Sequence, residues 1–480
     1  MAEPSPFALA LSDRSVPRYR EEGRRSAPGA QASMNRPAHE RNSMALPSEI
    51  TASLEEGLDA LVGLYREFHA APELSMQEHR TAETIADHLQ SYGLAPQTVG
   101  GTGVVAVIEN GDGPVVAFRA DTDGLPIEEA TGLPYASTAT GTLPDGTVTP
   151  VMHGCGHDAH ISAGLEIARL LTRHRGAWTG TVVMLFQPGE ETAAGAAAMV
   201  EDDLWERVPR PEAVYGQHVW PGVAGTVNLS IGTAMAMADS LRVTVHGRQA
   251  HGSQPENAID PIVLGAYMVT RLQSVVSREV AGSDMAVLTV GTFHAGVKEN
   301  IIPAKAVFEL NIRTFETDVR ERVLAAVRRI ISGEAQAAGA PEPDVERMYG
   351  FPRCYNDDTE AAEVLAALTA ELGGDSVTET RPVSGSEDFG VFADSLGVPG
   401  VYWFFGGYAA DTVETGVPGG NHSPFFGPDD VPATLRTGVR AGLTALFTRV
   451  GRTARVGQHA HADQRAHAGQ HADHAVQVAK

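Results

Sequence analysis

The sequence predicts an α/β fold: a central mixed sheet flanked by helices and interrupted by a smaller α+β sandwich. Three observations lead there. Apolar strands alternate with amphipathic helices through the first half of the chain. Near Met235 the pattern changes to a compact β-α-β-β-α run. Beyond that run, a helix and segments of the first kind return.

Leu54, Leu58, Leu61, Leu64, Tyr65 and Phe68 recur mostly at spacings of three and four, which predicts a helix from Leu54 to Phe68. Gly103 to Glu109 and Val115 to Arg119 read as strands, and Ile161 to Arg173 as a helix. Thr181 to Phe186 is a short apolar run, as expected of a strand covered on both faces. After Met235, the segment Ser240 to His246 alternates, with Leu241, Val243 and Val245 on one face. A helix (Ile259 to Val276), two strands (Ala286 to Phe293 and Ala306 to Phe315) and a helix (Asp318 to Ala338) follow. The helix Glu360 to Leu372 returns to the first domain. The expected division is therefore 48–234 with 346–450 as one domain and 235–345 as an insert. Residues 1–47 are rich in Pro, Ser, Arg, Gly and Ala and are expected to be disordered, as is the tail 451–480. That tail carries His459, His461, His467, His471 and His474, a composition able to bind metal weakly.

The formal net charge of −24 argues against nucleic acid as a partner, because phosphates attract basic surfaces. No stretch approaches the roughly 20 apolar residues of a membrane helix. The pair Arg24 and Arg25 precedes Ser-Ala-Pro-Gly rather than an apolar run, so a secretory signal is not expected. Two cysteines, Cys155 and Cys354, make no disulfide framework and fit a reducing, cytoplasmic compartment.

Three clusters carry candidate chemistry. In His153-Gly154-Cys155-Gly156-His157-Asp158-Ala159-His160, thiolate and imidazole two residues apart can turn toward one divalent cation. Gln187-Pro188-Gly189-Glu190-Glu191 follows a strand directly, and ligands collect at the carboxyl ends of strands in open α/β sheets. Adjacent carboxylates diverge, so one can bind metal while the other acts as a base. His218 and His422 stand near Gly and Pro in apparent loops. Taken singly, the first cluster is equally a satisfied polar turn, an isolated Glu-Glu pair reads better as a solvated acidic turn, and a lone loop His is ordinary. Together they offer Cys, His, Glu, His and His plus a spare Glu.

The order of these pieces resembles the M20 metallopeptidases. The nearest branch is the amidohydrolase one, with hippurate hydrolases, auxin-conjugate hydrolases and N-acyl-amino-acid deacylases. The resemblance runs from about Leu58 to Thr448. It takes in Arg66-Glu67-Phe68-His69, Pro72-Glu73-Leu74-Ser75, Arg119-Ala120-Asp121-Thr122-Asp123, Gly385-Ser386-Glu387-Asp388-Phe389 and Asn421-His422-Ser423-Pro424, besides the clusters above. It implies a catalytic domain interrupted by a lid domain, through which a homodimer forms. It implies two divalent ions (Mn, Zn, Co or Ni) on Cys155, His157, Glu191, His218 and His422, with Cys155 bridging. Glu190 is then the general base, and Asp123 orients a ligand His. From the lid, His251, Asn300 and Arg313 reach the substrate, with His251 often serving the partner subunit. The reaction implied is hydrolysis of the amide bond of an N-acyl amino acid or related small amide. Gly189 and Gly124 stand where Ala is common in the family, and Ser253-Gln254 where Ala or Met is common; these departures bear on substrate preference. A dipeptidase of the same family would share every one of these catalytic residues. A non-catalytic metal-binding scaffold would be expected to have lost a ligand or the base, and a metal-storage protein would depend on the His-rich tail.

Overall fold

The computed structural model describes residues 45–451. The expectations for the two termini, including the His-rich tail, fall almost entirely outside the described residues.

Eight strands form the larger sheet, in the order Gln97–Val99, Gly103–Asn110, Gly180–Gln187, Val115–Asp121, Val214–Val223, Gly400–Tyr408, Val227–Leu229, Val377–Glu379. The four central strands run parallel, and antiparallel strands extend the sheet on either side, so it is mixed. Alternation along these strands feeds two cores. Val116, Phe118, Ala120, Val182, Met184, Phe186, Trp403 and Phe405 pack under the helices Ser48–His69, His157–Arg173, Asp358–Leu372 and Val431–Phe447. Their neighbours Ala117, Val183, Leu185, Val214, Tyr402 and Phe404 pack under the shorter helices Gly195–Glu201, Leu204–Arg207 and Gly390–Leu396. Burial on both faces is why Val182 to Phe186 is apolar without a break.

A second, four-stranded sheet has the order Ala286–Ala295, Lys305–Thr314, Met237–His246, Asp344–Phe351, antiparallel throughout. Its last strand is one the sequence reading missed, and it runs past residue 345, where the insert was expected to end. Residues 346 to 349 are all exposed, so the apolar alternation that marks a strand is missing. The helices Pro261–Glu279 and Thr317–Ala337 cover one face over a separate core that includes Leu241, Val243, Phe308 and Leu310. Asp260 caps the first of these helices, accepting from the Ile262 and Val263 amides, and Pro261 supplies a preset first turn. The chain enters and leaves this layer side by side, through the antiparallel pair Gly232–Met235 and Cys354–Asn356.

Candidate metal centre and substrate cavity

Two glycines make the site-bearing turns possible. Gly156 (φ 87°) caps the helix that begins at His157, and a Cβ there would stand 2.3 Å from Val219 Cγ1. Gly189 (φ 56°) opens the turn holding Glu190 and Glu191, so the alanine common in the family would be strained here. His157, expected on the loop ahead of the helix, is the first helical residue. His218, also expected in a loop, lies within the strand Val214–Val223; Gly216 and Pro221 made a strand look like a turn. His422 does lie on a turn, at φ 69°, with its amide donating to the Gly154 carbonyl at 2.7 Å.

The imidazoles are aimed by their second nitrogens. His157 Nδ1 lies 2.9 Å from the Asp123 carbonyl and 3.1 Å from its carboxylate, so it donates there. Its Nε2 is buried without a hydrogen-bond partner, as is Glu191 Oε1. His218 Nδ1 donates to the Val219 carbonyl at 2.6 Å, leaving Nε2 3.3 Å from Cys155 Sγ. His422 Nε2 stands 3.2 Å from Glu191 Oε1. Ligand atoms of Cys155, Glu191 and His422 lie within 4.8 Å of one another, and so do those of His157, Glu190 and Glu191. Cys155, Glu190, Glu191, His218 and His422 all line one cavity of 480 Å³, and Arg313 lines it from the second sheet. His251 and Asn300 do not line it. They neighbour each other instead, the Gly252 amide donating to the Asn300 carbonyl at 2.8 Å, and His251 is exposed.

These groups suit divalent cations. Burial, then the charges of Glu191 and Glu190, pushes the Cys155 thiol well above its usual range, so a cation is needed to hold it as a thiolate. Burial, then the charges of Glu387, Glu191 and Asp388, holds the Glu190 carboxyl well above the carboxylate range. Burial works to lower the His157 pKa, but the charge of Asp121 and the hydrogen bond to Asp123 push it up to about 10. Burial, with His160 beside it, holds His218 well below its usual value. A surplus of buried carboxylates and an imidazole nitrogen without a hydrogen-bond partner fit bound positive charge, and the mixture of thiolate, imidazole and carboxylate is one transition metals accept.

Several supporting contacts escaped the sequence reading. Arg119, fully buried, donates to Gln187 Oε1, Asp121 Oδ2 and Glu387 Oε1, each at 2.7 Å. It thereby ties together three site-bearing segments. His160 accepts from the Val219 amide through Nε2 (2.7 Å) and bonds Asp121 through Nδ1, so neither nitrogen is free for a metal. Glu78 accepts from the Gly189 amide (2.8 Å) and Thr102 Oγ1 (2.5 Å), bracing the Glu190–Glu191 turn from below. Asp123 Oδ2 accepts from Ser75 Oγ (2.6 Å) and the Glu191 amide (3.0 Å). His69 joins Asp158 (2.6 Å) to Glu129 (3.1 Å). The only signal for Arg119, Asp121, Ser75, His69 and Glu387 was their presence in motifs quoted for the family resemblance; Glu78 had none.

A mixed sheet with thiol, imidazole and carboxylate groups gathered at one cavity is consistent with a metal-dependent hydrolase. Residues 117–441 match peptidase family M20/M25/M40, and the chain belongs to that family, whose members hydrolyse amide bonds. The N-acetyl-L-cysteine deacetylase of Bacillus subtilis is 37% identical over 350 residues, 72% of this chain and 80% of that one. The hippurate hydrolase of Campylobacter jejuni is 36% identical over 333 residues, 68% of this chain and 83% of that one. A solved structure from Bacillus subtilis, described as a dinuclear metal binding peptidase from the M20 family, is similar with a TM-score of 0.66 at 30% identity. The match covers 82% of this chain and 99% of that one. Among the described residues, no helix is long and apolar enough to cross a membrane.

Proposed function

We propose that this chain hydrolyses the amide bond of N-acyl amino acids at a dinuclear metal centre. Cys155, His157, Glu191, His218 and His422 would hold the two cations, and Glu190 is the general base. The observation that carries this reading is the convergence of the thiol, two imidazoles and two carboxylates on one cavity. When bound, the cations would supply positive charge for the developing oxyanion and acidity for a water. Glu190 takes the proton of that water and delivers it to the departing amine. Glu191, His157 and His218 are held in place by Asp123 and the Val219 carbonyl, so they need not reorganise during the reaction. Arg313 holds the substrate carboxylate through its fork of donors. A panel of N-acyl amino acids, assayed with the protein reconstituted with Mn, Co, Zn or Ni, tests the reading. Turnover of none of them with any metal would remove it.

We read the four-stranded layer as a lid and dimerisation domain, hinged at the paired strands Gly232–Met235 and Cys354–Asn356. His251 and Asn300, standing outside the cavity lining, then serve the partner subunit's substrate. Mixing His251→Ala chains with Glu190→Gln chains tests this, because some heterodimers would hold one intact site. Recovered activity supports sharing between subunits. A mixture that stays inactive despite demonstrated subunit exchange removes it.

A further inference from the structure

His160 is buried in the first turn of the helix His157–Arg173. Its ring stands edge-on to that of His218, with centroids 4.6 Å apart. It lies among the candidate ligand atoms of Asp121, His157 and His218, yet it has no nitrogen to spare for a cation. The groups its two nitrogens hold lead back to the metal centre.

The strand Val115–Asp121 stays in register with Val214–Val223 only as far as Arg119 opposite Gly216. Past that point the longer strand has no ladder partner from this neighbour, and a buried amide left unmet is costly. The Val219 amide donates instead to His160 Nε2 at 2.7 Å. An amide can only donate, so Nε2 is the bare nitrogen and the ring proton lies on Nδ1. Nδ1 donates to Asp121 Oδ1, while Asp121 Oδ2 accepts from Arg119 at 2.7 Å. The ring is therefore fixed at both ends.

Held through its amide, Val219 presents its carbonyl to His218 Nδ1 at 2.6 Å and to Asn421 Nδ2 at 3.3 Å. Asn421 Nδ2 also donates to the Cys155 carbonyl at 3.0 Å. With Nδ1 engaged, His218 keeps Nε2 facing Cys155 Sγ at 3.3 Å. The aim of His218 thus depends on where Val219 is held, and His160 is the side chain that holds its amide.

Resting on the metal-centre reading above, we infer that His160 is a positioning residue for the cation that His218 holds. It acts through the Val219 amide and not through its bond to Asp121.

The test uses the full chain, freed of metal and titrated with cobalt against a chromophoric chelator. Two variants divide the two bonds of the ring. His160→Gln can place Oε1 near the position of Nε2, so Val219 keeps its acceptor while Asp121 loses its donor. His160→Asn can place Nδ2 near the position of Nδ1, so Asp121 keeps its donor while Val219 loses its acceptor. His160→Asn should weaken one of the two cobalt sites by about 10- to 100-fold, the usual cost of removing such a support. His160→Gln should bind both ions as the unaltered chain does. Each variant gives up one buried hydrogen bond, so a purely structural role would lower both urea midpoints and leave the cobalt affinities alike. His160→Asn with unaltered affinities, or His160→Gln binding no better than His160→Asn, overturns the inference and leaves the metal-centre reading standing. An unaltered chain that binds no cobalt removes that reading and this inference together. Should neither variant fold, NMR of the histidine ring nitrogens in the unaltered chain decides. A proton on Nδ1 of His160 is required, and a proton on Nε2 overturns the inference.

Discussion

The two sheets treat their polar residues in opposite ways. In the eight-stranded sheet, polar side chains at the strand ends are buried and cross-braced. Arg119, Asp121, Gln187, Glu387 and Asp388 form one connected, buried polar network that meets the cavity at Glu387. In the four-stranded sheet, one face is sealed by helices and the other stays partly open. There Arg242 meets Glu309 at 2.9 Å with both side chains about one-third or more exposed, and Arg313 is held by neutral acceptors. Burial makes the first network costly to disturb and geometrically exact in what it presents. Openness makes the second cheaper to alter.

Substitutions can break or sharpen that contrast. The largest effect is expected at Glu190. Glu190→Gln should lower kcat by about 10²- to 10⁴-fold, the usual contribution of a positioned base. Metal content, read by elemental analysis, should stay at the wild-type level, and its fall would make Glu190 a ligand instead.

Next comes Arg119→Met, which strands Asp121 and Glu387 in the interior. Breaking a buried ion pair from one side costs about 3–5 kcal/mol, readable as a lowered urea midpoint. An unchanged midpoint would mean that the network does not brace the sheet.

His69 gives the contrast a pH dependence. Burial opposes its protonation, but the hydrogen bonds to Asp158 and Glu129 prevail and push it up to about 9 from an ordinary 6.5. A raised pKa contributes stability that is fully present below 6.5 and is lost as pH rises through about 9. Denaturation of His69→Gln should therefore show a deficit of up to about 3 kcal/mol at pH 6, shrinking as the pH approaches 10. A deficit that does not change with pH would assign His69 to packing alone.

Asp123→Asn should weaken metal binding by about 10- to 100-fold, because it loosens both the His157 ring and the Glu191 amide. Competition with a chelator measures this. Smallest of all, Arg242→Ala on the open sheet face should cost only about 0.2–1 kcal/mol. A loss as large as that of Arg119→Met would erase the distinction between the two sheets.

Legibility in the sequence follows the same division. Cys155, His157, Glu190 and Glu191 could be read because each pair lies within a short run whose spacing already limits where the side chains point. The alternation of Leu241, Val243 and Val245 marked a strand because one face meets a core and the other does not. Asp344–Phe351 lacks that alternation, and it became visible only through its register with Met237–His246. His218 was read as a loop residue because local punctuation by Gly216 and Pro221 outweighed a strand signal that only pairing could supply.

By itself, then, the sequence determined the α/β class, the apolar cores and the residue types able to hold divalent cations, because each of these depends on neighbours within a few positions. The tertiary structure alone decided which charges meet. Arg119 and Glu387 are 268 positions apart, and Glu78 and Gly189 are 111 apart. No local periodicity encodes such pairs. They are set when packing of the two cores brings the strand ends together and buries these charges beside partners from distant segments.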